Sequence, residues 1–252
     1  MTKNKVLIFG GSSGLGLELA KNFLKLNFHV VISSSKKKSF KNSKNILKKI
    51  SSKFSFIKCN LKIDSDVDKI IKFINKNKIN LECVVLSSGE GIIGALDKIN
   101  SKVLNNYLKA FAFSYIRIIN CLTDNKKINP DIIYISSYVA HFYSNNLSIY
   151  SFVKKTIDHF LRLLSKSYLG KILIVYPGSL NTKFDQKSLN YLNSKKVFIK
   201  KKLPPEEISI EILEYYKKNK KFYYSNYHIM WIVNINNLMG DIINKILNFF
   251  HR

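Results

Sequence analysis

The chain has little that would suit a secreted or membrane-spanning protein. No stretch of it approaches the roughly 18 consecutive apolar residues of a membrane span, and with the first strand-like run already at 5–9 no signal peptide is expected. Its three cysteines, Cys59, Cys83 and Cys121, are scattered without metal-ligand spacing and read as buried, reduced thiols. Arginine stands only at Arg117, Arg162 and Arg252, and 16 acidic residues face 42 lysines and arginines, for a formal net charge of +26. Such a balance ordinarily raises nucleic acid as a partner. Here the cations are almost all lysine and run along the whole chain with abundant Asn and Ile, so the pattern reads as a compositional drift that leaves a solvated basic surface. No nucleic-acid partner is expected. The expectation is a soluble, cytoplasmic protein whose field attracts phosphates, anionic cofactors or, peripherally, lipid head groups.

At 252 residues and 46% hydrophobic, the chain is long enough for one well-buried domain. Apolar runs at 5–9, 28–33, 54–59, 80–87, 131–136, 171–176 and near 222–225 read as strands. Between them lie helical patterns, among them 64–75 with Asp64 as its cap, one long helix over 97–122, and 149–168. That alternation predicts a parallel sheet covered on both faces. Residues 1–226 are expected to form the domain, with 227–252 an extension of it. In such sheets ligands sit outside the carboxyl ends of the strands.

The first strand end carries GGSSGLG, with Gly10, Gly14 and Gly16 spaced Gly-x-x-x-Gly-x-Gly, and an apolar helix follows. Strand, glycine turn and helix in that order let backbone N–H groups hold a pyrophosphate. The residues expected there are Gly10, Ser12, Ser13, Gly14, Leu15 and Gly16. After the second strand come Ser33, Ser34, Ser35 and Lys36, with no carboxylate to take a ribose 2′-hydroxyl, which favours NADP(H) over NAD(H). The alternative is a solvated lysine loop. Asn60 and Leu61 follow the third strand, where an adenine would lie, and Ser88 with Gly89 end the fourth.

Ser137 stands at the end of the fifth strand, Tyr150 thirteen residues later and Lys154 one helical turn beyond it. Residues at i and i+4 share a helix face. A phenol ionises near pH 10, and a fixed ammonium beside it lowers that value. Tyrosine, lysine and a serine hydroxyl on a substrate oxygen therefore make a proton-transfer site. The spacing alone is not specific, since Tyr191 to Lys195 and Tyr216 to Lys220 repeat it. Only Tyr150 follows a strand-end serine.

With Gly10-x-x-x-Gly14-x-Gly16, Asn60, Gly89, Asn106, Ser137, Tyr150-x-x-x-Lys154 and Pro177-Gly178-x-x-x-Thr182 in this order, the chain resembles the short-chain dehydrogenase/reductase family over nearly its whole length. The resemblance implies a Rossmann-type, doubly wound α/β fold with strand order 3-2-1-4-5-6-7. It also implies an oxidoreductase that uses NADP(H) on a small-molecule carbonyl or alcohol, and a homodimer. By resemblance Tyr150 is the acid/base, Lys154 tunes it and holds the nicotinamide ribose, and Ser137 orients the substrate oxygen. Asn106 supports a water chain to Lys154, and Pro177, Gly178, Leu180 and Thr182 border the cofactor. The chain departs from the family pattern at Phe9, often threonine, at Leu86-Ser87-Ser88-Gly89, usually Asn-Asn-Ala-Gly, and at Asn60, frequently aspartate.

Two rival readings remain from the residues. A non-catalytic dinucleotide sensor needs the glycine turn but not Ser137, Tyr150 and Lys154 together, and a membrane-associated reductase of a lipid-linked sugar shares the chemistry. The stretch 183–203 is polar, basic and read as a lid over the substrate. Ile229, Ile232, Val233, Met239, Ile242, Ile243, Ile246, Leu247 and Phe250 form one apolar stripe. It packs on the core or a partner subunit, or it lies with Trp231 on an anionic membrane.

Overall fold

The computed structural model describes residues 4–123, 129–141, 145–192 and 202–235. Its strands are β1 (Lys5–Phe9), β2 (His29–Ser34), β3 (Phe54–Lys58), β4 (Leu81–Leu86), β5 (Ile92–Ile93), β6 (Asp131–Ile135), β7 (Ile172–Tyr176), β8 (Leu189–Asn190) and β9 (Phe222–Tyr224). Seven of them form one sheet in the order β3-β2-β1-β4-β6-β7-β9, and every pairing in it is parallel. With the two-residue strands β5 and β8 set aside, this is the expected 3-2-1-4-5-6-7 order. Those two pair with each other as a separate parallel ribbon.

The apolar runs are unbroken because both faces of the sheet are covered. Leu7, Phe9, Val84, Leu86, Ile132, Tyr134, Ile174 and Tyr176 face one cluster, with α3 (Asp64–Asn77), α5 (Ser114–Thr123) and α6 (Ser148–Leu164). Val6, Ile8, Val30, Ile32, Val85, Ile133, Leu173 and Val175 face the other, with α1 (Gly14–Lys25) and α8 (Pro205–Lys217). Each such fully buried aliphatic side chain contributes about 1.5–3 kcal/mol. Register then aligns the strand ends. Phe9 pairs with Ser33 and Leu86, Leu86 with Tyr134, Ile135 with Val175, and Tyr176 with Tyr224. Gly10, Ser87, Ser136 and Pro177 therefore leave the sheet along one edge.

Some helices differ from expectation. The third helix starts at Asp64 but its cap position is Ile63, and the expected 97–122 helix is broken. Its first residues form a 3-10 turn at Leu96–Lys98, after which the Asn100 side chain accepts the Lys102 N–H and starts α4 (Ser101–Leu108). A π turn at Lys109–Phe113 then separates α4 from α5, and such turns shift the helix face. The expected lid contains a short helix, α7 (Phe184–Lys187), and β8, so its first part is tied to the residues after β4. Residues 227–235 are helical, and Ile229 and Val233 are buried in the core. For these residues the packed reading of the terminal stripe holds. Met239, Ile242, Ile243, Ile246, Leu247 and Phe250 lie outside the described residues.

Candidate active site

The turn after β1 is built by backbone that tolerates no side chain. Gly10 has φ +77°, and a Cβ on Gly16 would stand 2.5 Å from the Gly10 carbonyl oxygen. The chain therefore doubles back onto the first turn of α1, whose N–H groups point out of the sheet edge. Ser12 is half-buried and Ser13 exposed, while the Leu15 side chain is buried in the core, so only its backbone faces this turn. Thr182, from the segment after β7, packs against Gly14. Ser34 closes β2, with Ser35 and Lys36 exposed beyond it. Asn60 is half-buried, but Leu61 is a core residue, and Leu180 packs on the core beside Leu203. Pro177 and Gly178 follow β7, and the Gly178 N–H donates to the Ser225 hydroxyl at 2.7 Å.

Ser137, Tyr150 and Lys154 come together at this edge. The Ser137 Oγ accepts the Val139 N–H at 3.2 Å, and the Ser137 hydroxyl lies near enough to Tyr150 to favour its phenolate. Lys154 is buried, donates to the Ile135 carbonyl at 2.8 Å, and lies 5.9 Å from the centre of the Tyr150 ring. Burial pushes the Tyr150 phenol up to about 12, against the Ser137 hydrogen bond, and pushes the Lys154 ammonium down to about 8. The sequence predicted a phenol lowered by its lysine. Instead desolvation, with the Asp185 charge, raises it and the Ser137 hydroxyl alone opposes them, so Tyr150 stands at neutral pH as a protonated donor.

Asn106 is not part of this group. It lies exposed on α4, whereas the next residue, Tyr107, is 2% exposed and donates to the Glu90 carbonyl at 2.6 Å. The helix begins four residues later than expected and presents Tyr107 inward. Tyr115 similarly donates to the Ser88 carbonyl at 2.6 Å, so both residues after β4 are fixed by tyrosines. A cavity of about 10 Å³ lies against Lys154 and is walled by Ser88, Tyr107, Tyr115 and Tyr134. Phe184 also escaped the sequence reading. Its ring stands 6.2 Å from that of Tyr150, and one edge lies 3.7 Å from where a Cβ on Gly89 would be. An aromatic ring among the polar residues of 181–188 was its one signal.

A family model for the short chain dehydrogenases matches residues 4–192, which include both the glycine turn and the Ser137, Tyr150 and Lys154 group. The chain belongs to the short-chain dehydrogenase/reductase family. Within that oxidoreductase family it is 27% identical over 206 residues to a dehydrogenase/reductase SDR family protein 7-like of Dictyostelium discoideum, covering 77% of this chain and 65% of that protein. It thus spans less than two thirds of that relative's length. Among solved structures it matches a short-chain dehydrogenase from Sphingobium yanoikuyae in complex with NADPH, with TM-score 0.82, 14% identity and 95% of each chain covered. It also matches the bulky-bulky ketone specific alcohol dehydrogenase from Comamonas testosteroni, with TM-score 0.79, 15% identity, and 96% and 94% of the two chains covered. At such identities the structures share the fold.

The departures from the family pattern have local explanations. Phe9 is fully buried and meets the Tyr115 ring edge-on at 6.3 Å, so an aromatic pair fills the space. Asn60 makes its own turn, accepting the Lys62 N–H at 3.1 Å while its backbone N–H donates to Asp66. Among the described residues no helix is long and apolar enough to cross a membrane, and no cluster of metal-ligating side chains occurs.

Proposed function

We propose that this family member is an NADPH-dependent reductase of a small ketone or aldehyde. The observation that carries this reading is that the Ser137 and Tyr150 hydroxyls come together beside a buried lysine, at the same sheet edge as the tight glycine turn after β1. The residues fit the cofactor. Gly10 to Gly16, with Ser12 and Ser13, would hold the pyrophosphate, and Ser34, Ser35 and Lys36 a 2′-phosphate. Asn60 would border the adenine, and Ser88, Gly89 and Thr182, with the Pro177-Gly178 turn, the nicotinamide side. An acidic residue that would favour NAD(H) is lacking at the end of β2. The Sphingobium yanoikuyae structure is a complex with NADPH, which supports the same preference.

NADPH held by these residues would supply a hydride to the carbonyl carbon. As charge develops on the carbonyl oxygen, Ser137 donates a hydrogen bond to it and Tyr150 transfers its phenolic proton to it. The phenolate left on Tyr150 is stabilised by the Lys154 ammonium, which the Ile135 carbonyl holds in place. A phenol protonated at neutral pH suits the reductive direction. A screen of NADPH oxidation against aliphatic and aromatic ketones and aldehydes tests the proposal. Carbonyl-dependent oxidation of NADPH at a rate above that with NADH is expected, and none across the panel would contradict it.

We also infer a homodimer through the outer faces of the π turn and α6. Phe113, Phe152 and Leu163 are exposed there at 60%, 56% and 53%, an apolar area that water disfavours. Sedimentation should give the dimer mass for the wild type and the monomer mass for Phe152→Glu. A monomeric wild type would sink the inference.

A further inference from the structure

Beneath the reacting hydroxyls lies a buried polar cluster that the proposed reaction does not use. Asp158 is 1% exposed on α6, two turns beyond Tyr150 and one beyond Lys154. Its Oδ1 accepts the Arg162 Nε–H at 2.6 Å, and its Oδ2 accepts the Tyr176 hydroxyl at 2.5 Å. The fully buried His141 ring places Nε2 3.3 Å from the same Oδ2, while Lys155 Nζ lies 3.1 Å from Nδ1. An ammonium can only donate, so Nδ1 is the acceptor and the His141 proton sits on Nε2, pointing at Asp158. Arg162 also donates to the Tyr176 oxygen and lies over the Phe222 ring at 4.3 Å.

Each member belongs to a segment that carries part of the site. His141 ends the 3-10 turn that begins directly after Ser137, and the Ala140 N–H of that turn donates to the Ser137 carbonyl. Asp158 and Arg162 share a helix with Tyr150 and Lys154. Tyr176 is the last residue of β7, immediately before Pro177 and Gly178. A buried charge cluster is a poor way to gain stability, because aliphatic packing of the same volume serves as well or better. What it does give is one fixed register, since Asp158 meets donors from the turn after Ser137, from its own helix and from the end of β7 at once. Burial pushes the Asp158 carboxyl up, but the His141 hydrogen bond, the Arg162 charge and the Tyr176 hydroxyl outweigh it and hold the group below the usual range.

We propose that His141 is a positioning residue: through Asp158 it locks the Ser137 loop to the Tyr150 helix and so sets the spacing of the two reacting hydroxyls. The inference rests on the reductase reading above. It gives the cluster a role in the rate that packing alone would not have, because a displacement of about 1 Å at such a pair costs up to about 100-fold.

The test compares His141→Leu with His141→Gln in carbonyl reduction, with NADPH affinity followed by fluorescence and folding by thermal melt. Glutamine keeps an N–H donor for Asp158 and leucine does not. We expect His141→Leu to lose about tenfold or more in kcat, with NADPH affinity and the KM for NADPH within about twofold of wild type, and His141→Gln to stay within about threefold of the wild-type kcat. Wild-type kcat in folded His141→Leu, an equal loss in His141→Gln, or a loss matched by the unfolded fraction would overturn the proposal. Should His141→Leu fail to fold, Tyr176→Phe removes one hydroxyl from the same carboxylate, and unchanged kcat there overturns it equally. A wild type that neither binds NADPH nor reduces any carbonyl overturns the reductase reading and this one with it. An active wild type with unaffected variants overturns this one alone.

Discussion

Replacing Lys154 by methionine is predicted to stabilise the cofactor-free protein while silencing it. Lys154 is 9% exposed, and burial brings its ammonium from the ordinary 10.5 to about 8. At neutral pH the folded chain therefore carries a buried charge that costs roughly 3 kcal/mol, at about 1.4 kcal/mol for each pH unit of displacement. Methionine keeps the packing of the stem but leaves the Ile135 carbonyl without its donor, which returns about 1–2 kcal/mol of that gain. A net stabilisation of about 1–2 kcal/mol remains, or a Tm increase of roughly 4 °C in a chain of this size. The pH dependence gives the sharper signature. Because the folded pKa lies below the unfolded one, the unfolded chain binds more protons between about 8 and 10.5, and wild-type stability rises with pH over that window. Tyr150 works oppositely: its folded value of about 12 lies above the unfolded 10, so its contribution is complete below pH 10 and lost above it. Urea titrations at pH 7 and 9.5 read the lysine as the difference between the two proteins, because the raised Cys59 and Cys83 thiols, which lose stability toward pH 9.5, are common to both. Between those pH values the wild type should gain about 2 kcal/mol relative to Lys154→Met. A Lys154→Met protein less stable than wild type at pH 7, and parallel to it up to pH 9.5, would refute the reasoning.

Two further substitutions probe the rest of the site. Ser137→Ala removes the donor to the developing oxyanion, so kcat should fall by about 100-fold with NADPH affinity unchanged in a fluorescence titration; weakened cofactor binding instead would place Ser137 in another role. Ser34→Asp puts a carboxylate where a 2′-phosphate would lie, and the ratio of kcat/KM for NADPH over NADH should drop at least about tenfold, roughly 1.4 kcal/mol. An unchanged ratio would mean that the end of β2 does not read the 2′ position.

The sheet and the edge that carries the candidate site were legible because both rest on local signals. KVLIF and its counterparts are apolar without interruption, and the serine, tyrosine and lysine each follow a strand end or share a helix face. Asn106 was misplaced for a physical reason. The helical spacing of Leu104, Leu108, Phe111 and Tyr115 is continuous in the sequence, but the Asn100 cap delays the helix start and the π turn at Lys109–Phe113 shifts its face. Two-residue strands such as β5 and β8 carry no period, so the tie they make between the residues after β4 and those after α7 was invisible. The cluster at Asp158 was hidden by composition. In a chain with 42 lysines and arginines, Lys155 and Arg162 look like surface, and only packing against Tyr176 and His141 shows otherwise.

The most direct measurement is a single-turnover reduction by Tyr150→Phe loaded with NADPH. The substitution removes one hydroxyl and leaves the ring against Phe184. If the phenol is the proton donor, the variant binds NADPH with wild-type affinity and its hydride-transfer rate, read as loss of absorbance at 340 nm, falls by about 1,000-fold or more. A variant that binds NADPH and reduces the carbonyl at the wild-type rate would show that the proton comes from elsewhere.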